Sequence, residues 1–342
     1  MKHRIQQTLS KKSPAPEPVT ADAPGLQLPE YRPVSFHARG HGHTIILSML
    51  GRKKRPPHRR VRIDTPDGDF LDLDVSEPRE PRALAILIHG LEGSSDRYYI
   101  AGLSRKLFKE GYVTVAMNFR GCSGEMNRMR RFYHSGETGD LQTVMDWTQE
   151  QWPGLPRYAA GFSLGANVLL KSLGELSANH PLKAAAAISA PFDLKEGSLA
   201  IGKGFNKVYE KYFLLTLKQK LEQKRKVYPD LPRFDGRTLY EFDDQVTAPV
   251  HGFRDADDYY ATSSCGPYVS RIRKPALVIH SRLDPLCPFE MVPKQDIRQN
   301  PMLNAVFTND GGHVGFASRP AGWLNRAVAA YFRQVGQRPP TR

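Results

Sequence analysis

The pentapeptide Gly161-Phe-Ser-Leu-Gly165 constrains this chain more than any other feature. A short apolar segment, Tyr158 to Ala160, leads into it. A helical pattern, Ala166 to Leu176, leads out, with Val168, Leu169, Leu170 and Leu173 available for one face. A strand that passes straight into a helix must turn within a residue or two, and the residue at the apex takes strained backbone angles. Side chains beside that apex would collide, so glycine two positions before and two after leaves the needed room. Ser163 then stands at the apex, its hydroxyl exposed at the end of a strand and above the start of a helix.

The surrounding chain fits such a turn. Val61 to Asp64 and Phe70 to Val75 alternate in polarity and flank Thr65-Pro-Asp-Gly68, a hairpin turn signal. Ala83 to Ile88 is a continuous apolar run, as expected of a strand buried on both faces. Helix (Tyr98 to Glu110), strand (Tyr112 to Met117) and helix (Thr138 to Gln151) follow. Beyond the elbow, Ala184 to Ser189, Pro275 to His280 and Leu303 to Thr308 read as further strands, and Ala321 to Phe332 as a closing helix. Strands alternating with helices predict an α/β fold: a mainly parallel, eight-stranded sheet covered by helices on both faces.

Between Ala190 and Arg271 no buried strand is written. Lys203 to Lys226 reads instead as a long basic helix carrying Phe205, Val208, Tyr212, Leu215 and Leu217. A connection of this length is not structureless, and residues 195–270 are expected to form a helical lid inserted between two strands.

The three cysteines, Cys122, Cys265 and Cys287, are odd in number and far apart, which points to a reducing compartment and away from disulfides or a zinc site. No run of about 18 apolar residues is present, and the N-terminus lacks the apolar centre of a signal peptide. A cytoplasmic protein is expected. The net charge of +14 is uneven: residues 1–62 hold thirteen Lys or Arg against three Asp or Glu, or +10, which leaves +4 for the rest. Residues 1–30 read as a disordered, basic, Pro-rich tail, 31–59 as a basic arm, and 60–335 as the folded domain. The run Gly51 to Arg60 is read as solvated. It lacks the interleaved aromatics of a single-strand nucleic-acid site, so no nucleic acid is expected; weak peripheral contact with an anionic membrane is the one surface role it suggests. His37, His41 and His43 cluster without a nearby cysteine or carboxylate, so no metal is expected there.

A serine hydroxyl needs a base to take its proton. In a sheet of this type the order serine, acid, histidine is expected. Asp284 follows the strand ending at His280, and His313 follows the next strand, so both fall on loops at the edge where Ser163 emerges. His313 is the expected general base, with Asp284 fixing its tautomer. Asp193 is the alternative acid; His280 more often packs at its strand end, and Asp310 is too near His313 in sequence to orient it. An oxyanion needs preset N–H donors. The Leu91 amide, in His89-Gly-Leu-Glu-Gly93, and the Leu164 amide are the expected pair, and His89 fits as a donor that fixes this loop.

The set His89-Gly-Leu-Glu-Gly-Ser94, Asn118-Phe-Arg-Gly-Cys-Ser-Gly124, Tyr133-His-Ser-Gly-Glu-Thr138, Gly161-Phe-Ser-Leu-Gly165, Ser189-Ala-Pro-Phe192 and Gly311-Gly-His-Val-Gly-Phe316 resembles the α/β-hydrolase superfamily, and within it the AB hydrolase 4 family. Glu241-Phe-Asp-Asp244 and His251-Gly-Phe-Arg-Asp-Ala256 are similar to pieces of that family too. The resemblance implies hydrolysis of carboxylic esters, with relatives acting on acyl esters, glycerides or phospholipids and some transferring acyl groups to alcohols. It implies no cofactor. The expected substrate is a small ester with a short- to medium-chain aliphatic acyl group. Alcohol acyltransfer on the same three residues, or a non-catalytic binding protein on this scaffold, are the alternatives. Arg128, Arg130, Arg131 and His134 sit on the loop from Phe119 to Glu137; they read as structural, with Arg120 bracing neighbouring loops.

Overall fold

The computed structural model describes residues 26–34, 39–51 and 54–337. Most of the expected tail, together with His37, Arg52 and Lys53, lies outside them. Helix α1 (Arg39–Leu50) comes first, followed by β1 (Arg59–Asp64), β2 (Phe70–Ser76), β3 (Ala83–Ile88), α2 (Tyr98–Lys109), β4 (Tyr112–Met117) and α3 (Thr138–Gln151). Then come β5 (Arg157–Phe162), α4 (Leu164–Leu176) and β6 (Ala184–Ile188). The eight strands, completed below, form one sheet in the order β1-β2-β4-β3-β5-β6-β7-β8. β2 runs antiparallel to both β1 and β4, and every other pairing is parallel.

The β1–β2 hairpin closes where expected. Gly68 takes φ +81° and donates to the Thr65 carbonyl at 2.9 Å, a conformation that glycine adopts without strain. Strands β3 to β6 are buried almost throughout, in keeping with their unbroken apolar sequences. One core layer, including Val113, Val115, Leu169 and Val278, lies on the α4 side; the other packs Tyr158, Leu277 and Ile279 against the closing helix α11 (Trp323–Gln337).

Between β6 and β7 the chain makes a helical insertion: α5 (Leu194–Ile201), α6 (Lys207–Arg225), α7 (Leu239–Phe242), α8 (Ala248–His251) and α9 (Ala256–Ser263). β7 (Ala276–Ser281), α10 (Lys294–Gln299), β8 (Leu303–Thr308) and α11 (Trp323–Gln337) finish the fold. The insertion has an apolar centre of its own, with Leu214, Leu221, Leu231 and Phe242 buried together. Of the apolar residues of α6, Val208, Tyr212 and Leu215 face outward, whereas Phe213 and Leu217 turn in. Hydrophobicity all round a helix leaves its rotation undetermined by periodicity alone.

The last residues of the expected tail pack on the domain. Residues 26–30 pack along α11, where Leu26 and Leu28 join the core and the Trp323 indole donates to the Pro29 carbonyl at 2.6 Å. Arg55 and Arg60 both pair with the buried Asp74, at 2.6 and 2.8 Å, and Arg55 also meets Asp96. Two cations of the basic run are therefore paired with acids of the domain, while Lys54 and Arg59 are exposed. The three cysteines are free and buried. Among the described residues no helix is long and apolar enough to cross a membrane.

Candidate active site

Ser163 lies between β5 and α4 with φ +55° and ψ −121°, the strained apex the pentapeptide requires. Both flanking glycines are sterically necessary. A Cβ on Gly161 would lie 2.3 Å from the Gly165 carbonyl oxygen, and one on Gly165 2.5 Å from that of Ile88. The elbow is thereby pressed against the end of β3.

From Ser163 a continuous line of polar contacts runs across three loops. His313 Nε2 lies 2.8 Å from the Ser163 hydroxyl oxygen, and His313 Nδ1 lies 3.0 and 3.1 Å from the two Asp284 carboxylate oxygens. Burial alone would raise the Asp284 carboxyl, but the charge and hydrogen bond of His313 hold it below its ordinary range. Asp284 also accepts the Leu286 and Cys287 amides. An ionised carboxylate on Nδ1 leaves Nε2 as the acceptor facing the serine, a geometry competent for proton transfer. The alternative acid, Asp193, instead caps α5 by accepting the Glu196 amide. His280 is buried against the Cys287 carbonyl, and Asp310 pairs with His43. Asp284, Cys287 and His313 form the one cluster among the described residues with metal-ligand spacing, yet both His313 nitrogens already engage Asp284 and Ser163.

Leu91 and Leu164 line the same cavity as Ser163 and His313. The loop carrying Leu91 is close to the serine: a Cβ on Gly90 would come 3.1 Å from that of Ser163. His89 fixes the loop as a neutral ring. Its Nδ1–H donates to the Gly90 carbonyl at 2.7 Å, and its Nε2 accepts the Phe119 amide at 3.1 Å. Complete burial pushes its pKa down to about 3.

Two supports of this site escape sequence reasoning. The first is Glu92, directly after Leu91, at φ +50°. Its amide donates to the Tyr133 hydroxyl, which in turn donates to the Glu92 carboxylate. Lys220, from α6, donates to the same carboxylate at 2.8 Å and to the Cys122 sulfur at 3.1 Å. Burial works against the Lys220 charge, but Cys122 and Glu92 raise its pKa. Lys220→Met should release this loop without touching the serine. We expect about a tenfold fall in kcat with KM little changed; an unchanged kcat would mean that the ion pair does not position the Leu91 amide.

The second support is α1. Its Thr44 hydroxyl accepts the His313 amide at 2.8 Å, and its Gly40 fits so tightly that a Cβ would overlap the Leu283 carbonyl. A Cβ on Gly312 or Gly315 would in turn lie 2.3 Å from the Gly40 carbonyl oxygen or 2.5 Å from that of His43. The helix thus clamps the acid loop and the histidine loop together. The signal lay in the glycines of both segments, and in His41 and His43, which meet Tyr209 and Asp310.

The cavity beside Ser163 has a volume of about 140 Å³. Its walls are mainly apolar and come largely from the insertion: Leu194, Ile201, Phe213, Leu217, Leu239 and Phe242. Its polar end is Asp243, which accepts hydrogen bonds from Thr247 and Tyr260 at 2.7 Å; burial pushes its pKa up to about 6. The arginines of the Phe119–Glu137 loop are structural: Arg128 pairs with Asp64, Arg130 with Asp230 and Arg131 with Asp67 and Glu137.

This sheet order, with a strained serine after β5 and an acid and a histidine after β7 and β8, is that of a serine-elbow α/β protein. The chain belongs to the α/β hydrolase fold family, whose model matches residues 86–320. It is 38% identical over 314 residues to the Escherichia coli protein called "Putative esterase YheT", covering 87% of this chain and 92% of that one. It is 30% identical to human phospholipase ABHD3 over 84% of this chain and 73% of the relative. Among solved structures, the Pyrococcus furiosus esterase Pf2001 matches with a TM-score of 0.58 at 19% identity, over 82% of this chain and 91% of that one. That last likeness concerns the fold alone. The chain is thus an α/β hydrolase similar over most of its length to proteins named as esterases.

Proposed function

We propose that this protein is a serine hydrolase that cleaves carboxylic esters of short- to medium-chain aliphatic acids through an acyl-enzyme. The observation that carries this reading is the Ser163–His313–Asp284 line opening into a mainly apolar cavity. As the Ser163 oxygen attacks the ester carbon, His313 Nε2 takes its proton, and Asp284 stabilises the imidazolium. The carbonyl electrons move to oxygen, where the Leu91 and Leu164 amides receive the negative charge. Collapse expels the alcohol, which leaves with the proton from His313. Water then attacks the acyl-enzyme by the same route, releases the acid and restores the serine. No metal or organic cofactor enters these steps.

The insertion acts in this scheme as a lid that walls the acyl chain. The motif set and the similarity to YheT and ABHD3 support placement in the AB hydrolase 4 group. A small ester is the partner. Each methylene that enters the cavity contributes up to about 0.8 kcal/mol, so kcat/KM should rise up to about fourfold per added methylene, from acetyl towards medium chains, and then fall once the cavity is full. A p-nitrophenyl ester series from acetyl to palmitoyl, with and without ethanol, tests this. A flat series would remove the acyl pocket. Ethyl ester forming faster than free acid would move the assignment to alcohol acyltransfer.

A further inference from the structure

Helix α6 has two apolar faces, and the cavity uses only one. Phe213 and Leu217 point inward to the ester site. On the opposite side Phe205, Val208, Tyr212 and Leu215 are 55%, 55%, 49% and 58% exposed. Their spacing of three, four and three residues puts them in one stripe along the helix and the turn before it. Large apolar side chains grouped this way on a surface mark a contact site.

The charges beside the stripe indicate what covers it. Lys203, Lys207 and Lys211 are exposed between and beside these residues. The one acid from 203 to 219, Glu210, is buried and accepts the Leu239 amide. The outer face therefore combines apolar side chains with three cations and no exposed carboxylate of its own. In a two-fold contact between copies of this chain, the same lysines would be brought face to face. An anionic lipid surface satisfies both features, because it takes apolar side chains below the headgroups and lysines at their level. The basic arm is less suited, since Arg55 and Arg60 are already held by Asp74.

We propose that the outer face of α6, with the preceding turn, docks on an anionic bilayer and sets the lid of the site against the membrane. This contact is independent of the ester chemistry and is read without activity.

The test is co-sedimentation of the full chain with mixed phosphatidylcholine/phosphatidylglycerol vesicles and with pure phosphatidylcholine vesicles. Binding is expected to the mixed vesicles and to weaken with salt. Lys203→Glu, Lys207→Glu and Lys211→Glu together should weaken it about a hundredfold or more. Val208→Ser and Leu215→Ser together should weaken it at least about tenfold; Phe205 and Tyr212 stay, because the Phe205 ring packs on His41 of α1 and the Tyr212 hydroxyl meets Arg97. Neither set should change turnover of a water-soluble ester. Three outcomes would overturn the proposal: no binding by the wild type, wild-type binding by both variants, which would put the contact elsewhere, or a dimer in size-exclusion chromatography that the same substitutions dissociate.

Discussion

Ser163→Ala is expected to lower ester turnover by on the order of ten-thousandfold or more, with the fold intact. Only the hydroxyl is lost, and its oxygen is the atom 2.8 Å from His313 Nε2. His313→Ala should cost a similar factor, because an unactivated serine attacks an ester poorly. Asp284→Asn should cost on the order of a thousandfold, since an amide can present its N–H to Nδ1 and invert the tautomer that faces the serine. In the proposed mechanism the three residues act as one unit, so Ser163→Ala combined with His313→Ala should be hardly worse than either alone. Turnover of p-nitrophenyl butyrate, with circular dichroism as the check on folding, measures all four. Retention of a rate within about tenfold by Ser163→Ala would break the account.

Arg120→Met is the stability counterpart. The guanidinium is 1% exposed and is shared by three acids. It makes two hydrogen bonds to Asp140, at 2.6 and 2.9 Å, two to Asp67 and one to Asp69. Burial opposes its charge, but Asp140 and Asp67 raise its pKa. Removing the cation leaves Asp69 and Asp140 buried with part of their compensation gone. A loss of about 3–5 kcal/mol is expected, read as a lower urea midpoint at unchanged m-value. Adding Asp140→Leu to Arg120→Met should recover part of the loss, because the stranded charge goes with it. A loss under about 1 kcal/mol would show that water reaches these carboxylates.

These expectations rest on features of unequal visibility in the sequence. The strands were legible because continuous apolar runs such as Ala83 to Ile88 have few other uses. The positions of Ser163, Asp284 and His313 followed from their order against those strands, and the structure brings all three side chains together. Helix α1 was not legible. It holds the site through glycine backbones and one threonine hydroxyl, with partners about 270 residues away, and no local period records such contacts. Lys220 was hidden for the same reason: on a helix with many lysines, nothing marks the one that reaches Glu92 across 128 positions. The two faces of α6 were hidden by too much signal, since apolar residues on both sides leave the rotation open. Within the basic run, the pairing of Arg55 and Arg60 was not legible because their acids, Asp74 and Asp96, lie outside it in sequence.

The measurement closest to the central claim is covalent labelling by a fluorophosphonate, which reacts with a serine only when a neighbouring base has activated it. Mass spectrometry of the digested wild-type protein should find the label on the peptide containing Gly161-Phe-Ser-Leu-Gly165, at Ser163. Labelling should disappear in Ser163→Ala and become far slower in His313→Ala. A protein that is folded yet unlabelled, or labelled at another serine, would contradict the account.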